Sequence, residues 1–595
     1  METLLEQLEH NGVVVPEPPK PRGLKLRVRG EWAALTPPQE EMALAWARKH
    51  GTPYVEDPVF IANFMADFSA ALGLRSPLAL ADVDFAPAVQ WVLAEREAKA
   101  SLTPEERKLL AAERKALREQ LKARYGRALV NGERIDLANY VVEPSGIFMG
   151  RGEHPLRGRW KAGATQRDIT LNLSPDAPRP EGNWGEIVWQ PDSLWIARWE
   201  DKLSGKLKYV WPSDSASIKQ SREQRKFDEA AELEEKLEQV RAHIAAGLGA
   251  PEAKRRQIAT ACFLIDALCL RVGDEKDEDE ADTVGATTLR PEHVTIHRNG
   301  QVEFQFLGKD SVLWHKTVPL PEQVIRNLEE LIANATASAE AGDGQRSRKA
   351  QIFPDITSRD VSAFLSEVIP WLSAKVFRTH HATQAVATAL QEAKVKPKDP
   401  EYIKWRAASL ANREAAILCN HYKKEAASWE RGQARLAERQ ASAEEAAAKA
   451  KQQLDAERAK LEALRAEFSQ QLEESPSEEA REKRRAAQAK RLAAAERRLR
   501  AARARERRAR EAVGQVKAKK TVASQSRNWN LGTSLKSYID PRVMTRWGAQ
   551  VDYDTMEKYY PTALRVKFAW ARVSPPSEQE DGGAAVDVAV NGDEE

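Results

Sequence analysis

The sequence predicts an α+β protein of several domains, with a mainly helical core, a small antiparallel sheet and a long helical hairpin late in the chain. Three observations carry the prediction. Helix-start signatures alternate with short aromatic and β-branched runs over roughly the first 420 residues. An Asn-Gly turn sits inside one alternating apolar stretch. From residue 425 to about 520 the composition turns to Ala, Glu, Arg and Lys, almost without glycine. A chain of 595 residues, 42% of them hydrophobic, can bury more than one core.

In chain order, "TPPQEEMALAWARKHG" opens with Thr36, Pro37 and Gln39, a capping-box arrangement, and is expected to stop at Gly51. "TPEERKLLAAERKALREQLKARYG" repeats the device with Thr103, Pro104 and Glu106. "SLWIARWE" and "KLKYVW" read as strands, and "GIFMGRGEHP" is a Gly-rich turn holding Arg151 and His154. A polar break at "PSDSAS" precedes a charged helix and then a more apolar one, "RRQIATACFLIDALCLRVG". The apolar helix is expected to bury Ile258, Phe263, Leu264 and Leu268 and to end at Gly273, which puts Arg271 in its last turn. "HVTIHRNGQVEFQFLGKDSVLWHKTVPL" reads as a three-stranded meander, with Asn299-Gly300 as a type I′ signal and Lys309 and Asp310 in the second turn. Helices follow to about Lys424.

Beyond that point Leu454, Leu461 and Phe468 fall seven apart, as do Leu492 and Leu499, with a break around Pro476. The spacing predicts two antiparallel arms of about 40 residues, each ~60 Å long. The second arm holds about seventeen Lys and Arg against four acids in about forty residues, although the whole chain carries only +3. Residues 575–595 read as an acidic, disordered tail. The boundaries predicted are 1–212, 213–424, 425–522, 523–574 and 575–595.

Only three cysteines occur, none in a metal-type cluster, so a reducing compartment is expected. "METLLEQLEH" has neither a cationic leader nor an apolar core, and no apolar run approaches the ~20 residues that span a bilayer. The expectation is an intracellular protein with no membrane segment and no metal or cofactor.

The chemistry centres on "LGTSLKSYIDPR", which places Tyr538 in a short capped segment just after the basic arm. A phenol, with an ordinary pKa of ~10, becomes a useful nucleophile only where cations take up the charge on an attacked phosphate. Arg271, Lys309 in "FLGKDS", Arg378 in "KVFRTHH" and His421 in "ILCNH" stand at the ends of predicted elements and could supply them. Singly, each has an ordinary explanation: a helix-ending cation, a turn lysine, a surface ion-pair partner, a core histidine.

Together the words "GIFMGRGEHP", "LRVGDEK…DTVG", "FLGKDS", "KVFRT", "ILCNH" and "GTS…YIDPR" resemble, in order, those of the eukaryotic type IB DNA topoisomerases. The resemblance runs from the N-terminus to about Arg572. It implies a DNA clamp, with an N-terminal cap region, a catalytic core, a coiled-coil linker and a short tyrosine-bearing domain. It also implies that Tyr538 attacks a backbone phosphate to form a 3′-phosphotyrosyl bond, and that Arg271, Arg378 and His421 contact the phosphate oxygens. Lys309 would protonate the departing 5′ oxygen. Arg151 and Asp310 match a pair near the cleavage site, Thr533 a residue supporting the nucleophile, and His154 is a further DNA-contact candidate. The partner implied is supercoiled duplex DNA, bound by a monomer without ATP or metal.

Departures are visible too. Ser537 stands where the family commonly has Asn, which implies reduced camptothecin sensitivity. Leu156 replaces a lysine at the lips of the clamp, and His380-His381 replaces Tyr-Asn. The long charged N-terminal extension of nuclear members has no counterpart here, so a nucleoid or cytoplasmic location is slightly favoured over a nuclear one. The rival readings are a tyrosine recombinase, which shares this chemistry, and a non-catalytic DNA-binding coiled-coil protein.

Overall fold

The computed structural model describes residues 4–150, 152–273, 283–341, 350–423, 429–474 and 477–572. Arg151, the acidic run 274–282 and the tail expected from residue 575 lie outside them, as does the side chain of Asp310. The fold is α+β, with long helices and small, mostly antiparallel sheets. The chain forms two compact units, Met1–His381 and Ala382–Glu595.

Among the described residues the first unit holds three apolar clusters. The earliest is built by α1 (Pro37–Ala47), α2 (Pro58–Ala71) and α3 (Ala86–Ser101), where Phe60, Phe64, Phe68, Trp46 and Phe85 are buried together. Trp46 stacks on Phe64 with ring centroids 4.6 Å apart. The Thr36 amide donates to Gln39 Oε1 at 2.8 Å, as the capping box requires. α1 nevertheless ends at Ala47, before the predicted stop; the left-handed Gly51 (φ +76°) closes a separate turn after it. α4 (Pro104–Tyr125) carries the second capping box, Glu106 N to Thr103 Oγ1 at 3.2 Å and Thr103 N to Glu106 Oε2 at 2.8 Å, and ends at Gly126.

A second cluster lies on a four-stranded sheet in which Ala197–Glu200 pairs with both Leu207–Val210 and Ile169–Asn172. The third and largest is formed by α5 (Ser217–Leu248), α6 (Ala253–Leu268), α7 (Glu322–Ala341) and α8 (Ser358–Ser366) with the predicted meander. Its strands Val294–Ile296, Gln301–Gly308 and Val312–Pro319 pair in sequence order, all antiparallel. The Asn-Gly connection is not type I′, because only Gly300 has positive φ (+78°). Gly300 N donates to His297 O at 3.0 Å and His297 N to Gln301 O at 2.8 Å, so the turn closes through a left-handed glycine bulge. In α6, Leu264 and Leu268 are fully buried, whereas Ile258 and Phe263 pack half-buried against the same core.

Arg271 is not in the last turn of α6. The helix stops at Leu268, where Cys269 takes the left-handed conformation (φ +54°), and the next residues are outside any helix or strand. Their backbone is bound elsewhere: Ala286 N donates to Arg271 O at 2.8 Å and Thr287 N to Val272 O at 2.7 Å. The helix ends where this pairing begins.

α9 (Ala374–Glu392) leads from the first unit into the second, followed by α10 (Glu401–Leu418). The two predicted arms are α11 (Trp429–Glu473) and α12 (Glu478–Gln525), 45 and 48 residues long. Each is therefore roughly 70 Å, a little longer than the sequence suggested. Arg465 pairs with Glu496 at 2.9 Å, Lys517 with Glu444 at 3.0 Å, and Lys520 reaches Gln440 at 3.1 Å. Numbers that rise on one helix fall on the other, so the pair is antiparallel. Leu461, Phe468 and Leu499 are buried in its seam, while Leu454 and Leu492 are half-buried. α13 (Leu531–Ser537) and α14 (Pro541–Gln550) complete the part that matters below.

Candidate active site

In the second unit the site begins with two chain reversals. α10 ends at Leu418, Asn420 turns left-handed (φ +52°), and His421 N donates back to Ala416 O at 2.8 Å. This Schellman-like closure sets His421 just beyond a helix C-terminus, where the macrodipole favours a cation. The other reversal is α13, capped by Asn530, whose Oδ1 accepts from Thr533 N at 3.3 Å. Tyr538 is its C-terminal cap, with its amide donating to Ser534 O at 2.9 Å. The two are tied by Asn530 N donating to His421 O at 2.8 Å and Lys423 N to Asn528 O at 2.9 Å.

The side chains meet as well. His421 is 8% exposed; its Nδ1 lies 2.7 Å from Ser534 Oγ, and its ring centroid lies 5.0 Å from that of Tyr538. Thr383 holds the tyrosine's backbone from both sides: its hydroxyl donates to Tyr538 O at 3.2 Å and accepts from Asp540 N at 3.1 Å. Asp540 then caps α14 through Arg542 N at 2.9 Å. Thr533 is exposed, one turn before Tyr538.

In the first unit the cationic residues hang on one backbone framework. Arg378, on α9 and 5% exposed, donates from Nη1 to Cys269 O at 2.9 Å. Two residues on, Arg271 is pinned by the pairing with 286–287 described above. Gly285 makes that pairing possible: a Cβ there would stand 2.5 Å from Gly273 Cα and 2.9 Å from Arg271 O. One residue earlier, Val284 N donates to Leu307 O at 2.8 Å, on the strand that runs into the turn Lys309–Ser311. Lys309 is exposed at that turn.

The Gly-rich turn meets the same place, because a Cβ on Gly152 would overlap the Ser311 side chain. α2 holds it from behind. Asn63 donates to Pro155 O and Arg157 O, both at 2.8 Å, and Arg157 makes a forked pair with Asp57 at 2.6 and 3.2 Å. The hydrogen bond from Arg157 is the main reason the Asp57 carboxyl is held below its ordinary pKa. His154 Nδ1 accepts from Leu156 N at 3.1 Å and the ring packs edge-on to Phe148.

Three stretches match known families. Residues 5–212 match "Eukaryotic DNA topoisomerase I, DNA binding fragment", residues 215–454 "Eukaryotic DNA topoisomerase I, catalytic core", and residues 510–578 "C-terminal topoisomerase domain". Carrot DNA topoisomerase 1 is 31% identical over 580 residues, covering 95% of this chain and 71% of that protein. The chain belongs to the eukaryotic DNA topoisomerase I family. Human DNA topoisomerase 1 is 29% identical over 95% of this chain and 70% of its own length. Arabidopsis DNA topoisomerase 1 beta is 35% identical over 70% of this chain but only 44% of that protein, so the chain spans about half the length of some of the relatives it matches.

Within this topoisomerase family frame the two-histidine departure has a structural explanation. His381 Nε2 lies 2.7 Å from Asp266 Oδ1, and Arg241 Nε donates to the same carboxylate at 2.8 Å. Burial pushes the Asp266 pKa up, but these two hydrogen bonds outweigh it and hold the carboxyl below its ordinary value. His380 Nδ1 faces Ala230 O at 3.2 Å. Among the described residues no group of three or more His, Cys, Asp or Glu is arranged to hold a metal ion, and no helix is long and apolar enough to cross a membrane.

Sequence reading missed the residues that aim the site. Ser534 lies inside the word "GTS", four before Tyr538, a spacing that puts both on one helix face. Thr383 and Gly285 gave no signal of their own.

Proposed function

We propose that the chain is a type IB DNA topoisomerase acting as a monomer on supercoiled duplex DNA. The reading is carried by the pairing of Tyr538 with His421, held at a helix end through Ser534. Tyr538 attacks a backbone phosphate and leaves a 3′-phosphotyrosyl bond. Arg271, Arg378 and His421 bear the charge that gathers on the phosphate oxygens, each worth about 10²–10³ in rate. Arginine suits two of those places because its planar fork fits phosphate and stays charged. Lys309, a compact donor in an exposed turn, protonates the leaving 5′ oxygen. Arg151, His154, Asp310 and Thr533 hold DNA around the cut.

The divisions follow: a cap region over 1–212, a core over 213–424, a coiled-coil linker over 425–522 and a tyrosine-bearing domain over 523–574. The first two form a clamp on duplex DNA, and the basic arm of the linker faces DNA downstream of the cut. With one strand held on Tyr538, the free 5′ end turns about the intact strand and releases supercoils of either sign. The phosphotyrosyl ester conserves the energy of the broken bond, so religation requires no nucleotide, and side-chain cations carry the charge a metal would otherwise bear.

The test is relaxation of positively and negatively supercoiled plasmid in EDTA without ATP. Wild type relaxes both, and Tyr538→Phe relaxes neither; equal relaxation by the two proteins would overturn the reading.

A further inference from the structure

We propose that Ser534 is a positioning residue for strand cleavage, keeping a proton on His421 Nε2 in either charge state of the ring. The proposal rests on the reading of Tyr538 as nucleophile and His421 as a phosphate contact.

A hydroxyl beside an imidazole can do what a carboxylate or carbonyl cannot. Neutral imidazole has one N–H and one acceptor nitrogen, and the partner of one nitrogen selects the state of the other. Ser534 Oγ stands 2.7 Å from Nδ1, and Ser534 is fully buried, so solvent does not compete for the contact. Against a neutral ring whose Nε2 faces a phosphate oxygen, the hydroxyl can turn to donate to Nδ1, so the ring proton stays on Nε2. Against imidazolium it accepts from Nδ1–H, and Nε2 keeps its proton. A carboxylate or carbonyl in that place could only accept. It would hold the neutral ring's proton on Nδ1 and turn Nε2 into an acceptor, which repels a phosphate oxygen.

The same residue also sets the nucleophile. Ser534 O accepts from Tyr538 N at 2.9 Å and from Ile539 N at 3.2 Å, closing the turn that ends in the tyrosine. One residue thus fixes the histidine through its hydroxyl and the tyrosine through its carbonyl. The two rings, tied to the same residue, lie 5.0 Å apart.

The experiment measures single-turnover cleavage of a suicide duplex, whose cut strand ends just beyond the cleavage site so that the released fragment diffuses away. Ser534→Ala is expected to slow cleavage roughly 10-fold, the scale of one buried hydrogen bond. DNA affinity, read by anisotropy, should stay unchanged. In a His421→Gln background the same substitution should add nothing, because its effect passes through the imidazole. A wild-type rate for Ser534→Ala, or equal slowing in both backgrounds, overturns the proposal. If Ser534→Ala fails to fold by thermal melting, Ser534→Cys, with a weak donor of similar shape, is compared in the same two backgrounds under the same criteria. Tyr538→Phe runs alongside: cleavage by that variant would sink the reading of the site itself, whatever Ser534 does.

Discussion

Arg378 commits Nη1 to the Cys269 carbonyl, which fixes the angle of its guanidinium. A lysine there would keep the charge but lose the fork. Arg378→Lys should therefore slow single-turnover cleavage by about 10² or more. A rate within a few-fold of wild type would show that charge alone suffices at this position. Asp57 makes a different prediction, about stability. Its folded pKa is depressed by Arg157, so the stabilisation is fully present above the ordinary carboxylate value of ~3.9 and is lost as pH falls through the lowered one. Asp57→Asn should lower the melting temperature at pH 7, and the gap to wild type should narrow as the pH is taken toward 3. At this scale the recognisable words of the sequence singled out Arg378, His421 and Tyr538, and the structure sets the last two side by side. The sequence was silent on Ser534 and Thr383, whose roles depend on partners 113 and 155 residues away.

Elements were legible where local chemistry decides them. The capping box at Thr103 formed as read, as did the Gln39 half of the one at Thr36 and the order of the meander strands. Reading failed where tertiary pairing overrides periodicity. The apolar pattern of α6 runs on toward Gly273, but the helix stops at Leu268 because the following backbone pairs with 286–287. That pairing tolerates no side chain at Gly285. Gly285→Ala should force Arg271 and Gly273 apart, destabilise the first unit by about 1–3 kcal/mol and reduce cleavage together with it. Calorimetry and the cleavage assay check the two arms, and an unshifted melting temperature with normal cleavage would contradict the account. Thr383→Val keeps shape but removes the hydroxyl between Tyr538 O and Asp540 N. It should cost about 1–3 kcal/mol, since both partners lose a hydrogen bond, and slow cleavage without weakening DNA binding.

For the whole molecule, the break in composition at residue 425 marked the long helices before any coordinate did, because a seam of leucines every seven residues and uninterrupted charge leave few other folds. The reading that this charge faces DNA rests on its place between His421 and Tyr538. If the second arm faces DNA, replacing Arg498, Arg500, Arg505 and Arg507 by Gln should flatten the salt dependence of binding, by about 0.9 in log–log slope for each phosphate no longer neutralised. An unchanged slope would leave the arm as a solvated strut.

The claim beneath all of this is that one phenol oxygen holds the 3′ end of the cut strand until religation. Denaturing the protein during cleavage of a labelled duplex, digesting it and mapping the nucleotide-bearing peptide tests it most directly. The account predicts a single adduct, a 3′-phosphate ester on Tyr538, absent in Tyr538→Phe. An adduct on another residue, a 5′ linkage, or no adduct while plasmid is being relaxed would contradict it.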